Sequence, residues 1–227
     1  GTMESGLVSL GMGINDMGDL AGASYKSYNH GFVFRSNQFV HVFPWQMNQY
    51  GNSECFGINS EGRTCGITYL LFGAGYERWW GYVWRDENGD GVHQSSEMQA
   101  LGSLGVAYSA GMHSQANAIN DLGQVVGLTG ITNNWYPHHA FVITPSLGKW
   151  KIPEGDPRPD YINPTNSLMQ NIGTLDRLTD NSEATALNNQ GWVVGYSTTS
   201  SGTNQAFLWR DGTMVNLNSL ISSNSGW

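Results

Sequence analysis

The apolar positions of this chain fall into short runs that recur in a fixed order, and the order repeats four times. Each unit opens on a small residue followed by Ile or Leu and Asn, with two glycines at set spacing behind them. The motif reads Gly13-Ile14-Asn15 with Gly18 and Gly22, then Gly57-Ile58-Asn59 with Gly62 and Gly66. It returns as Ala118-Ile119-Asn120 with Gly123 and Gly127, and as Ala186-Leu187-Asn188 with Gly191 and Gly195. Ten to 16 residues after each second glycine stands the central aromatic residue of a short run: His30-Gly31-Phe32-Val33-Phe34, Trp80-Gly81-Tyr82-Val83-Trp84, His139-Ala140-Phe141-Val142-Ile143 and Gln205-Ala206-Phe207-Leu208-Trp209. An alternating apolar run closes each unit, at 39–43, 98–104, 169–175 and 214–220.

Each unit therefore holds four short strands, A to D. Strand A ends in the Ile-Asn pair, a tight turn leads to strand B, and the aromatic run is strand C. The first glycine is expected to supply a positive φ in the A–B turn. The second lies inside strand B, where a missing side chain lets a neighbouring backbone approach. Four-stranded units at repeats of 44 to 68 residues predict propeller blades. One such sheet cannot bury both faces alone, so blades stack about an axis. A two-sheet sandwich accommodates 16 regular short strands less well. The expectation is one all-β domain over residues 1–227, a β-propeller of four blades near 7–44, 53–105, 114–175 and 182–221. The four are expected to close a ring unaided, with membership of a larger ring as the alternative.

These units resemble the HAF repeat of bacterial exported proteins, named for a His-Ala-Phe triplet kept here literally at His139-Ala140-Phe141. The flanking Ile-Asn-x-x-Gly-x-Val-Val-Gly and Met-x-x-Leu-Gly-x-Leu segments match as well, over nearly the whole chain. Trp80-Gly81-Tyr82 and Gln205-Ala206-Phe207 lack the histidine, which is therefore expected to be structural. The resemblance implies export and a propeller-like fold, and it says little about activity.

Composition agrees with strands. Charged residues make up 12% and hydrophobic residues 39% of 227, with 30 glycines and nine tryptophans. Few Lys and Glu among many Gly, Asn and aromatic residues suit strands and turns. The net charge of −8 argues against a nucleic-acid surface. The longest apolar stretches, such as 67–72, are far too short to span a bilayer as a helix. The Gly1-Thr2-Met3 start resembles a cloning remnant, so a targeting segment is expected upstream.

One segment carries ion chemistry. Residues 86–97 read Asp-Glu-Asn-Gly-Asp-Gly-Val-His-Gln-Ser-Ser-Glu and fit D-x-[DN]-x-[DN]-G-x₅-E at every defined position. Asp86, Asn88 and Asp90 offer hard oxygens at loop positions 1, 3 and 5. Gly91 permits the turn, the Val92 carbonyl points inward, and Glu97 supplies two carboxylate oxygens. Calcium is the expected ion, in a structural role pinning a long C–D connection. Cys55 and Cys65 flank the A–B turn of the same unit, and facing antiparallel positions predict a disulfide between them. Calcium and a disulfide together point to an extracellular or cell-surface location.

With strands ordered A to D, the B–C and D–A loops emerge on one face, and the A–B and C–D loops on the other. The first face gathers large rings: Tyr76, Trp79, Trp80, Trp135 and Tyr136 from B–C loops, with Trp45 from a D–A loop. Flat rings suit the C–H faces of sugars, so a polysaccharide or other extracellular ligand is the expected partner. Five residues before the strand-A asparagine stand Glu54 and Glu183 in the second and fourth units. With His113 nearby, they form a candidate acid–base set at the channel mouth. Three readings follow: a glycan-binding module, a glycan-cleaving enzyme, and a structural surface or assembly protein.

Overall fold

The computed structural model describes residues 8–25, 29–42, 52–72, 76–104, 111–112, 114–131, 137–151, 165–222 and 225. Sixteen of its strands form four antiparallel four-stranded sheets in sequence order. Blade 1 holds β1 (Val8–Ile14), β2 (Leu20–Tyr25), β3 (Asn29–Arg35) and β4 (Gln38–Val42). Blade 2 holds β5 (Asn52–Ile58), β6 (Thr64–Phe72), β7 (Tyr76–Trp84) and β8 (Met98–Ala100), and a short β9 (Gly111–Met112) pairs in parallel with β7. Blade 3 holds β10 (Ser114–Ile119), β11 (Val125–Gly130), β12 (His138–Ile143) and β13 (Met169–Gly173). Blade 4 holds β14 (Ser182–Leu187), β15 (Val193–Thr198), β16 (Asn204–Arg210) and β17 (Thr213–Asn216). The protein is an all-β propeller of four blades, as the repeats predict.

The two glycines of the motif have separate causes. Gly18, Gly62, Gly123 and Gly191 take φ of +83°, +75°, +73° and +77° at the A–B turns, a region that L side chains avoid. The other set answers a bulge. In every blade the A–B register slips at one residue of strand A: Met12, Phe56, Asn117 and Thr185. The slip drives the carbonyl of the second residue before it into strand B. A Cβ on Gly22, Gly66, Gly127 or Gly195 would stand 2.1, 1.8, 1.8 or 1.9 Å from the carbonyl oxygen of Leu10, Glu54, Gln115 or Glu183. Only a residue without a side chain fits.

The turn asparagine works in two directions. Oδ1 of Asn59 accepts the N–H groups of Glu61 and Arg63 at 3.2 and 2.9 Å, which holds its own turn. Its Nδ2 donates to the Asn120 carbonyl of the next blade at 3.1 Å. Asn15 donates likewise to Asn59 and Asn120 to Asn188, both at 2.9 Å. A serine six residues earlier adds a second tie. The N–H groups of Gly31, Gly81 and Ala140 donate to Oγ of Ser53, Ser114 and Ser182 at 3.0, 3.0 and 2.8 Å.

Apolar side chains fill the wedges between these ties. One core lies between blades 1 and 2, around Val33, Val42, Cys55, Trp80, Tyr82 and Trp84. A second lies between blades 2 and 3, around Cys65, Val83, Phe141 and Ile143. A third joins blades 3 and 4 through Val126, Val142, Val193 and Phe207. The expected closed ring is not formed. Blade 1 keeps the face away from blade 2 exposed, with Val8, Leu10 and Ile14 in solvent, and Val194 of blade 4 is exposed as well.

The predicted disulfide is corrected. Both cysteines are free thiols and fully buried. Cys55 faces Gly66 and Cys65 faces Gly57, because the bulge at Phe56 separates the two pairings. Facing residues share a side of the sheet and successive residues alternate. Cys55 therefore points into the blade 1 core and Cys65 into the blade 3 core. The sheet itself lies between them.

Candidate functional site

Blade 2 carries the 86–97 loop and, on a long B–C hairpin, part of the aromatic set. Its C–D connection leaves β7 at Trp84, runs through the 86–97 loop, and enters β8 by a short 3-10 turn, Ser95–Glu97. Asp86 folds back over the loop, with Oδ1 accepting from Gly89 N–H at 2.7 Å and Oδ2 from Gly91 N–H at 3.0 Å. Asn88 Oδ1 accepts from Asp90 N–H at 3.0 Å, and Asp90 Oδ1 from Val92 N–H at 2.8 Å. Gly89 and Gly91 both take φ of +72°, which permits the tight winding. Glu97 is buried, and its two oxygens accept from the N–H groups of Glu87 and Gln94 at 3.0 and 2.9 Å. Glu97 thus closes the loop end to end.

The donor set is three carboxylates, one amide and the Val92 carbonyl, all hard oxygens of the kind calcium takes. Its chemistry fits that ion. Among the described residues, no three His, Cys, Asp or Glu side chains are grouped as a metal centre. In this arrangement each oxygen of Glu97 holds a backbone N–H. The neighbouring cations serve Glu87, which lies outside the donor set. Arg63 pairs with Glu87 at 2.7 Å and lies 4.5 Å over the Trp150 ring, and Arg85 approaches Glu61 and Glu87. These contacts seat the C–D loop beside the A–B turn of its own blade. The A–B turns themselves line an open polar depression of about 330 Å3, with Asn15, Asn59, Asn120 and Asn188 along it.

The B–C end of blade 2 rises as a long hairpin, in which β6 and β7 pair from Thr64↔Trp84 out to Phe72↔Tyr76. The D–A segment returns to brace it, with Arg78↔Gly111 and Trp79↔Met112 in register. Trp79 is partly buried on this hairpin. Trp80 is corrected: at 1% exposed it belongs to the core between blades 1 and 2, since alternation along β7 turns it inward. Tyr76 is described in its backbone, while Trp45, His113, Trp135 and Tyr136 lie outside the described residues.

The two glutamates occupy equivalent places in blades 2 and 4, and each is tied to its own blade interface. Glu54 accepts from Asn29 Nδ2 at 2.7 Å, and Glu183 from Asn117 Nδ2 at 3.0 Å and Tyr196 Oη at 2.6 Å. Their hydrogen bonds serve blade packing and do not join the two carboxylates. His139 is likewise structural: it is buried, with its ring nitrogens against Asn171 and the Leu178 carbonyl at 3.1 and 3.0 Å. Sequence reasoning missed the serine ties and the donor role of the asparagines. Both were visible as repeat positions, since Ser9, Ser53, Ser114 and Ser182 stand six residues before the four asparagines.

The molecule is thus a four-bladed propeller with an oxygen-rich loop at one end and a braced hairpin at the other. The chain belongs to the family described as "Protein of unknown function (DUF3466)", whose model matches residues 46–227. No curated protein matches it. Among solved structures, it is similar to the β-propeller domain of the Trilobed protease from Pyrococcus furiosus, described as having an open velcro topology. The identity is 10% and the TM-score 0.48, over 97% of this chain and 53% of that one. The chain therefore spans about half the length of that structure.

Proposed function

We propose that this chain is an extracellular, calcium-stabilised propeller module that binds a glycan through its B–C and D–A face. The observation that carries the reading is the pairing of β7 with β9, which sets a B–C hairpin bearing Tyr76 and Trp79 against the D–A segment that leads to His113. The Trp79 ring, partly buried on this braced edge, is a rigid group that can offer a flat apolar face at little entropic cost. The oxygen-rich 86–97 loop lies at the opposite end, so calcium holds the scaffold and does not touch the sugar. The resemblance to exported HAF repeats supports the location.

The test is a panel of soluble and insoluble polysaccharides, reading retained protein and released sugars in the same tubes. Retention without products, lost in Trp79→Ala while the fold persists, is the expected result; retention on no member of the panel refutes glycan binding. Released oligosaccharides would instead return Glu54 and Glu183 to a catalytic role. Calcium is tested separately. At a concentration of 100 Kd it should stabilise the fold by about 2.7 kcal/mol. That corresponds to roughly 5–11 °C in Tm for a domain of this size. Glu97→Gln should abolish the shift, and an unchanged Tm in the parent protein removes calcium from the proposal.

A further inference from the structure

Three blade interfaces are formed from one repeated set of contacts, and the chain carries both halves of a fourth that it does not make. Strand A of blades 2 and 3 presses its Ile against the preceding blade, and Leu187 of blade 4 is partly buried in the same way: Ile58 and Ile119 are 7% and 8% exposed, but Ile14 is 70% exposed. On the opposite side of the blades, the second residue of strand B is covered by the next blade. Ala21, Cys65 and Val126 are 0% exposed there, while Val194 is 38% exposed. One leading face and one trailing face are thus left open.

The polar ties divide in the same way. Ser9 holds the position of Ser53, Ser114 and Ser182, and Ala206 that of the donors Gly31, Gly81 and Ala140. Asn188 stands where three asparagines each donate across an interface, and Asn15 has the carbonyl that would receive it. One residue on, Ser60 N–H donates to Asp121 Oδ1 at 2.8 Å and Asp121 N–H to Asn189 Oδ1 at 3.0 Å. Asn189 N–H and the Asp16 carboxylate hold the corresponding places at the fourth interface. All these residues are described, and among the described residues none of the three fourth-interface bonds is made.

We propose that blade 4 of one copy docks on blade 1 of a second copy of this chain, and the reverse, so that two chains close one ring. The face to be covered is a groove lined by Leu20, Phe32, Phe34 and Phe39, with Ser9 and Gly11 along its edge. Continuity with the three formed interfaces selects the occupant. The complement of this groove is a trailing blade face carrying the Ala206 N–H at the donor position and a Val at 194, which is what blade 4 offers. Within one chain the two faces stay open, with Ile14 70% and Val194 38% exposed. A second copy related by a two-fold axis along the channel satisfies both faces at once. Such a head-to-tail contact closes rather than propagates.

Sedimentation of the intact chain should give twice the chain mass. Ile14→Arg and Val194→Arg, both at exposed positions, should each halve that mass with the fold retained by circular dichroism. Mixing the two variants should recover a dimer, because one of its two interfaces joins an unaltered blade 4 to an unaltered blade 1. A covalent link gives a second measurement. Across the formed interface, Ser53 Oγ lies 3.2 Å from where a Cβ on residue 31 would stand, so Ser9→Cys with Ala206→Cys should oxidise to an interchain dimer on a non-reducing gel. A monomer at every concentration, an intrachain link between the two new cysteines, or a dimer indifferent to both arginines overturns the proposal.

Discussion

The substitution Asn59→Asp separates the two tasks of the turn asparagine within one isosteric change. Asn59 is 3% exposed, and its Oδ1 accepts two backbone N–H groups of its own turn. A carboxylate keeps both bonds and strengthens them with its charge. What it loses is the Nδ2 donation to the Asn120 carbonyl at 3.1 Å. That carbonyl still accepts from Gly123 N–H at 3.0 Å, so it is not orphaned and the lost bond costs about 1 kcal/mol. A buried anionic oxygen now faces a carbonyl oxygen where a donor stood, which adds about 1–2 kcal/mol. The variant should therefore be less stable by about 2–3 kcal/mol at pH 7, read from urea unfolding followed by tryptophan fluorescence. Repulsion raises the folded-state pKa of the introduced carboxyl above its unfolded value of about 3.9. The deficit relative to the parent is then full above the folded pKa, and it shrinks as pH falls towards the unfolded value and the protonated carboxyl regains a donor. A variant within about 0.5 kcal/mol of the parent at pH 7, or a deficit that does not shrink on acidification, would refute the inter-blade ladder.

Two further changes probe the same architecture. Gly127→Ala puts a Cβ 1.8 Å from the Gln115 carbonyl and should cost roughly 3 kcal/mol or more, whereas Gly11→Ala meets nothing within 4 Å and should be nearly neutral. Equal urea midpoints for these two variants would count against the bulge as the cause of the second glycine. Burial pushes the Cys55 thiol up to about 12 and the Cys65 thiol higher still. Neither should react with a thiol reagent at pH 8 until the protein unfolds, when both should, and reductant should leave Tm unchanged. Two thiols missing from the denatured count would mean that a disulfide forms after all.

The repeat is legible because each motif position answers a backbone requirement that recurs in every blade. Gly18 and its equivalents need a positive φ, and Gly22 and its equivalents need the absence of a Cβ. Such demands are local and leave a spaced signature. The disulfide expectation fails for a related reason: the turn pairs Ile58 with Thr64 and Gly57 with Cys65, so an unbroken ladder would set Cys55 diagonal to Cys65 on one side of the sheet. The bulge at Phe56 inserts one residue into that ladder and turns one cysteine to the other side. Nothing in the sequence marks Phe56 as bulged, because Met12, Asn117 and Thr185 share that place without sharing any chemistry. Trp80 is misplaced by a boundary error. The aromatic segment 76–80 reads as loop, but β6 and β7 continue through it, so strand alternation decides which ring is buried.

Fold and candidate site occupy different parts of the repeat, and the division has a physical reason. The asparagine donor, the serine acceptor and the strand-A Ile act across an interface, and the two glycines fix the turn and the bulge of their own blade, so a change at any of them disturbs a sheet or its seam. These positions are therefore held to one pattern, while the spacing between successive asparagines varies as 44, 61 and 68 residues. The variation sits in connections whose lengths no interface fixes. In blade 2 one of them carries the oxygen-rich 86–97 loop, locked by Glu97 at its ends. At the opposite end, the β6–β7 hairpin extends past the common strand length until β9 braces it. Loops on a rigid scaffold can change chemistry without cost to the core. Departures from the repeat are thus where recognition has to be sought in this propeller, and blade 2 has two of them.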